Sequence, residues 1–143
     1  MKHRVCCVGR PGGWAKEAGE EYSKRMGRFG ELECIHLRES PNVERQLMEK
    51  GEGWWKVCLD PKGGSLSTEE WRKEWEKWER LGKTKLAWMI GGADGHSEEF
   101  RRGCNVVRSL GPQTLSHDLA WVVLLEQIYR VESWRAGHPY HRA

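Results

Sequence analysis

Residues 85–95 read KLAWMIGGADG. The first six are apolar enough for a buried strand, Gly91-Gly92 ends it, and a short helix opens from about Ser97. Glycines at such a turn let the backbone take positive φ and come close to a ligand. The pattern is neither G-x-G-x-x-G nor a P-loop, because no Gly-Lys-Ser/Thr follows. A ligand read by backbone amides and apolar contacts, such as an adenosine without a phosphate, suits it. A plain tight strand-to-helix turn would leave the same pattern.

Outward from this stretch, strand-like and helix-like segments alternate. His3–Gly9 (HRVCCVG) reads as a first strand, and Gly12-Gly13 lead into a charged helix over about Trp14–Phe29. Glu31–Leu37 alternates as a second strand, and Ser40-Pro41 starts a helix that runs to about Lys50. Trp54–Asp60 is a third strand, apolar enough to be central, and Lys62-Gly63-Gly64 breaks it. Ser67-x-x-Glu70 is a capping box. The helix it opens carries Trp71, Trp75 and Trp78 at i, i+4, i+7, a stripe that faces the core or a subunit partner. A base-stacking platform for single-stranded RNA is the other reading of that stripe. Beyond residue 95 come a brief strand, Val106–Leu110, and a long helix over about Ser116–Trp134.

This alternation predicts an α/β fold with a largely parallel sheet. Ligands in such folds sit beyond the carboxyl ends of the strands. Those ends are Leu59-Asp60, Gly91-Gly92 and Leu110-Gly111, so three loops are expected to converge on one site.

The 143 residues suit a single domain, 1–143, around one core. Charged residues make up 31% with both signs mixed, so they describe a solvated surface, and a net charge of +3 permits an anionic partner without requiring one. Five cysteines, at 6, 7, 34, 58 and 104, show no CxxC pair and no metal-like spacing with histidine. With no signal peptide ahead of the first strand, they read as reduced thiols in a cytoplasmic protein. No apolar run approaches the roughly 20 residues that span a bilayer.

Two regions carry candidate chemistry. Leu110-Gly111-Pro112-Gln113-Thr114-Leu115 is a second glycine-containing loop before a helix that Thr114 or Ser116 can cap. That helix is apolar over most of its circumference and calls for burial in the core and against a second subunit. Glu126 and Arg130 on it read as an ordinary i, i+4 ion pair. The end of the chain, Gly137-His138-Pro139-Tyr140-His141-Arg142-Ala143, holds residues able to move a proton, stack on a base and grip a phosphate. Composition alone favours a solvated tail.

Met89 to Arg142 resembles the RlmH (YbeA-type) family of SPOUT methyltransferases. The matching pieces are IGGADG at 90–95, SL at 109–110, TL-x-H at 114–117, LLEQIYR at 124–130 and G-x-PYHR at 137–142. Tyr22-x-Lys24-Arg25, Leu59-Asp60-x-x-Gly63 and Ser67-x-Glu69 also fit, in order, over essentially the whole chain. The resemblance implies a SPOUT-type parallel-sheet domain with a C-terminal deep trefoil knot over about 85–143, an exception to the rule against threaded chains. It also implies a homodimer that uses S-adenosylmethionine, without a metal, to methylate N3 of a pseudouridine in large-subunit (23S) ribosomal RNA on the assembled ribosome. Cofactor positions carried over are Leu59, Gly91, Leu110, Gly111, Pro112, Gln113, Thr114 and Leu115. The tail is expected at an active site formed across the dimer, with His141 handling the N3 proton, Tyr140 positioning the base and Arg142 holding a phosphate.

Three positions depart from the family pattern. Ser116 stands where proline is usual, Trp121 where arginine is usual, and Gly111-Pro112-Gln113 where a serine-led loop is usual. They motivate an alternative reading, a catalytically weakened knotted module that binds the ribosome or RNA. Trp121 is expected to pack at the dimer.

Overall fold

The computed structural model describes residues 1–142. Five strands, β1 (Lys2–Val8), β2 (Glu31–Leu37), β3 (Trp55–Ser65), β4 (Lys85–Ile90) and β5 (Val106–Ser109), form one sheet in the order β2-β1-β4-β3-β5. Every pairing is parallel. The middle strand is β4, apolar and buried from Leu86 to Ile90, while β3 is one place out from it. The third strand is interior, paired with β4 on one side and β5 on the other, as its apolar run predicts.

Strand alternation sends neighbouring side chains to opposite faces. Cys7, Leu59, Trp88 and Ile90 join one apolar cluster; Cys6, Val8, Cys58 and Met89 join the other. Helices α1 (Gly13–Met26), α3 (Thr68–Arg80) and α5 (His117–Arg135) cover the first face. The second is covered by α2 (Val43–Lys50) and α4 (Glu98–Gly103), through Val43, Leu47 and Phe100. The result is a three-layer α/β sandwich with both sheet faces buried, as parallel sheets require.

The tryptophan stripe belongs to the core. Trp71, Trp75 and Trp78 are all buried, and the first two each meet Trp88 of β4 at 5.5 Å between ring centroids. The RNA-platform reading falls away for these residues. The capping box ahead of them is formed in both directions, Ser67 with Glu70.

Three boundaries differ from the sequence expectation. The glycines after Asp60 do not end β3: the chain bulges out after Leu59 and returns at Gly64, so both residues oppose Arg108 of β5. A Cβ at Gly63 would lie 2.5 Å from the Arg108 nitrogen, so only glycine lets the backbones approach this closely. Helix α2 begins at Val43 instead of Ser40-Pro41, because the Ser40 hydroxyl accepts from the Asn42 N–H in a turn that precedes it. Helix α1 stops at Met26, three residues early, as the chain tightens into a turn with the Phe29 N–H donating to the Met26 carbonyl.

Candidate active site

The bulge after Leu59 in β3 and the carboxyl ends of β4 and β5 enclose a cleft of about 120 Å³. Leu59, Ile90, Leu110, Leu115 and Ala120 make its walls apolar. Gly111, Gln113 and Thr114 continue the rim, with Asp60, Pro61 and Ser109 beside them. Six of the eight cofactor positions expected from the sequence therefore meet here. Gly91 follows Ile90 but faces the other side, lining a separate polar hollow with Asp94, Gly95 and His96. Pro112 is exposed and does not line the cleft.

The loop 110–115 is pinned at one point. The Ser109 hydroxyl accepts from the Gly111 N–H at 3.1 Å and donates to the Gly111 carbonyl at 2.6 Å. Gly111 has φ +147°, a conformation that side-chain-bearing residues avoid. Beyond it, the N–H groups of Gln113, Thr114 and Leu115 meet no hydrogen-bond partner among the described residues. The loop thus offers donors at the rim of an apolar cleft.

The start of α5, which forms one wall, is tied down from three directions. Ser116 is its N-cap, accepting from the Leu119 N–H at 3.3 Å. Asp118 accepts from the Gly12 N–H at 3.0 Å, and His117 Nε2 lies 3.1 Å from the Cys7 sulfur. Across the cleft, Asp60 is buried, accepts from the Lys62 N–H at 2.9 Å and pairs with Arg101 at 3.5 Å. Arg101 also donates to the carbonyl of His96, whose buried ring stacks on Phe100 at 4.5 Å. Burial holds the His96 imidazole below its usual range, against the Met89 carbonyl, which favours the charged form. These contacts fix the turn 91–96 from beneath.

The tail does not reach the cleft within one chain. After Gly137 (φ +82°) reverses the backbone, Tyr140 and His141 fold back along α5. The Tyr140 hydroxyl donates to Glu126 Oε1 at 3.0 Å, Arg130 Nη1 lies 3.2 Å from His141 Nδ1, and the His141 ring meets Trp134 at 4.2 Å. Burial, the Tyr22 and Tyr140 hydroxyl contact and the Glu126 charge push the Tyr140 phenol up, so it stays a donor. Arg142 is exposed. At 1.5 Å of rise per residue, Glu126 is about 9 Å and Arg130 about 15 Å along α5 from the cleft-lining Ala120. The two halves of the expected site are therefore separate here.

The family model described as "Predicted SPOUT methyltransferase" matches residues 1–141. A protein of Thermus thermophilus named "Ribosomal RNA large subunit methyltransferase H" is 43% identical over 143 residues, covering 99% of each chain. The chain belongs to the RlmH family of SPOUT methyltransferases. Its fold is shared by a methylase family protein of Neisseria gonorrhoeae, with a TM-score of 0.60 at 13% identity, covering 99% of this chain and 88% of that one. A SpoU methyltransferase from Streptomyces viridochromogenes, solved in complex with its cofactor AdoMet, gives a TM-score of 0.50 at 13% identity, covering 94% of this chain and 58% of that one.

The principal RlmH-type motifs fall at the turn 90–95, the end of β5, the start and middle of α5, and the tail. Sequence reasoning passed over Pro61, Ile90, Ser109 and Ala120 as cleft residues, and it read Glu126 and Arg130 as an ordinary i, i+4 ion pair. They are that pair, at 2.8 Å, and also the seat of Tyr140 and His141. The strand-end rule and the motifs at 90–95 and 109–110 could have flagged Ile90 and Ser109, and the motif at 124–130 holds Glu126 and Arg130. Among the described residues no group of three or more His, Cys, Asp and Glu side chains forms a metal-binding cluster, and no helix is long and apolar enough to cross a membrane.

Proposed function

We propose that this methyltransferase uses S-adenosylmethionine to methylate N3 of a pseudouridine in large-subunit (23S) ribosomal RNA, acting on the assembled ribosome. It works as a homodimer whose residues 85–143 form a deep trefoil knot. The observation that carries the reading is the full-length likeness to the Thermus ribosomal RNA methyltransferase.

The cleft suits the cofactor. Its walls are apolar, its rim presents unpaired N–H groups, and Asp60 supplies a carboxylate beside a ligand that bears positive charge. S-Adenosylmethionine supplies a methyl group on a sulfonium centre. Leu59, Leu110 and Leu115 enclose the adenosine and exclude water, while the N–H groups of Gln113, Thr114 and Leu115 read it and Gly111 gives the loop its turn. Pro112 stiffens that loop and Gly91 lets the turn approach closely. Catalysis is chiefly alignment of donor and acceptor for in-line attack.

The tail completes the site from a second copy. His141 acts on the imide, Tyr140 positions the base and Arg142 holds a phosphate. Separation of tail and cleft along α5 supports this arrangement, since within one chain the tail sits against Glu126 and Arg130, about 9 and 15 Å along the helix from Ala120.

Incubation of the purified protein with labelled methyl donor and ribosomes lacking this methyl group tests the reading. Label should enter one pseudouridine. No transfer to intact ribosomes or to free large subunits overturns it, and absent donor binding by calorimetry would favour the RNA-binding module without catalysis.

A further inference from the structure

Arg130 stands one turn beyond Glu126 on α5, between the two tail residues. Its Nε and Nη2 donate to Glu126 Oε1 at 2.9 and 2.8 Å, and its guanidinium lies 4.7 Å above the Tyr140 ring. Its Nη1 is 3.2 Å from His141 Nδ1. A guanidinium has five N–H donors and no acceptor. The contact is made only when Nδ1 offers its lone pair, which leaves the ring hydrogen on Nε2. Trp134 backs the same ring at 4.2 Å, and Glu126 binds both Arg130 and the Tyr140 hydroxyl, so the set is held as a unit.

We infer that Arg130, held by Glu126, is a positioning residue that fixes the tautomer of His141, so that His141 meets the substrate as an Nε2–H donor. The donor points at a carbonyl oxygen beside the methylated nitrogen, instead of acting as the base that removes its proton. The inference rests on the proposed function and sharpens the role of the tail. An imide nitrogen lies between two carbonyls, and loss of its proton spreads negative charge onto their oxygens. A fixed N–H aimed at one of them stabilises that charge as it develops. The N3 proton passes to solvent water. The N3 electron pair then forms the bond to the methyl carbon, and the carbon–sulfur electrons stay with sulfur as a neutral thioether.

The test is methyl transfer to large ribosomal subunits lacking the modification, with the unaltered protein, His141→Ala and His141→Gln. A glutamine amide can place an N–H where Nε2–H stood but does not take up a proton near neutral pH. His141→Ala lowers kcat about 100-fold, the usual loss for one fixed donor, whereas His141→Gln keeps about a tenth of the unaltered kcat. Equal collapse of both variants identifies a base and overturns the inference. An inactive unaltered protein is a separate result, seen before any variant is made, and it removes the proposed function together with this refinement. Nitrogen NMR of isotope-labelled histidine, with the His141 signals assigned by their loss in His141→Gln, reads the tautomer directly. The unaltered protein shows one form with hydrogen on Nε2, and Arg130→Met shows an averaged pair. Unmoved His141 signals in Arg130→Met would make Arg130 merely structural and contradict the assignment.

Discussion

Gly19 of α1 lies face to face with the indole of Trp121 on α5, and a Cβ at position 19 would overlap that ring. Trp121 is 4% exposed and meets His36 edge-on at 5.2 Å. The indole that replaces the family's usual arginine is therefore buried inside its own chain. That placement corrects the expectation of packing at the dimer. Gly→Ala in a helix ordinarily stabilises by up to about 1 kcal/mol. Here overpacking reverses the sign: Gly19→Ala costs about 1–3 kcal/mol, and Trp121→Ala about 3–5 kcal/mol. Urea unfolding midpoints measure both, and a stabilising Gly19→Ala would contradict the contact.

The loop 110–115 depends on one hydroxyl. Ser109→Ala releases both backbone groups of Gly111 while costing only about 1 kcal/mol of global stability. Gly111→Ala strains the positive φ. Each should weaken S-adenosylmethionine binding by about tenfold, read by calorimetry. Unchanged affinity in both would remove the loop from the binding site.

What the residues disclosed in advance follows the range of the forces involved. The i, i+4, i+7 spacing placed three tryptophans in one stripe, because that pattern is local, and the stripe is buried. The bulge at Asp60–Gly63 was hidden because a glycine pair reads as a stop unless the neighbouring Arg108 backbone is in view. Leu59, Gly111 and Thr114 were legible from the strand-end rule and the family motifs. The Tyr140–Glu126 hydrogen bond was not, since it depends on the backbone reversing at Gly137 and returning along α5.

Stability should fall in mild acid. Burial lowers the His3 imidazole below its ordinary 6.5, against the opposing Glu132 carboxylate, and burial lowers His96 likewise. As the pH drops below 6.5 the unfolded chain takes up protons that these folded side chains refuse, so each costs up to about 1.4 kcal/mol per pH unit. Below pH 4.5, Glu132 adds a loss of the same sign: His3, the amino terminus and Arg135 hold its carboxyl down despite burial. Urea midpoints at pH 7.5, 6.5 and 5.5 check this, and a midpoint that is flat or rising toward pH 5.5 would contradict it.

Tyr140→Phe separates folding from function. Loss of its bond to Glu126 costs about 0.5–1.5 kcal/mol at most. Methyl transfer should fall by more than about tenfold through a misplaced tail. Unaltered transfer at equal stability would free Tyr140 of any role.

The proposed shared site requires the cleft of one copy to receive the tail of another. Leu115→Arg closes the cleft and His141→Ala disables the tail, and each variant alone should be inactive toward ribosomal RNA. Mixed at equal amounts and allowed to exchange subunits, they should recover about a quarter of normal methyl transfer, because half the dimers then hold one intact composite site of two. A mixture that exchanges subunits yet stays inactive would contradict the shared site.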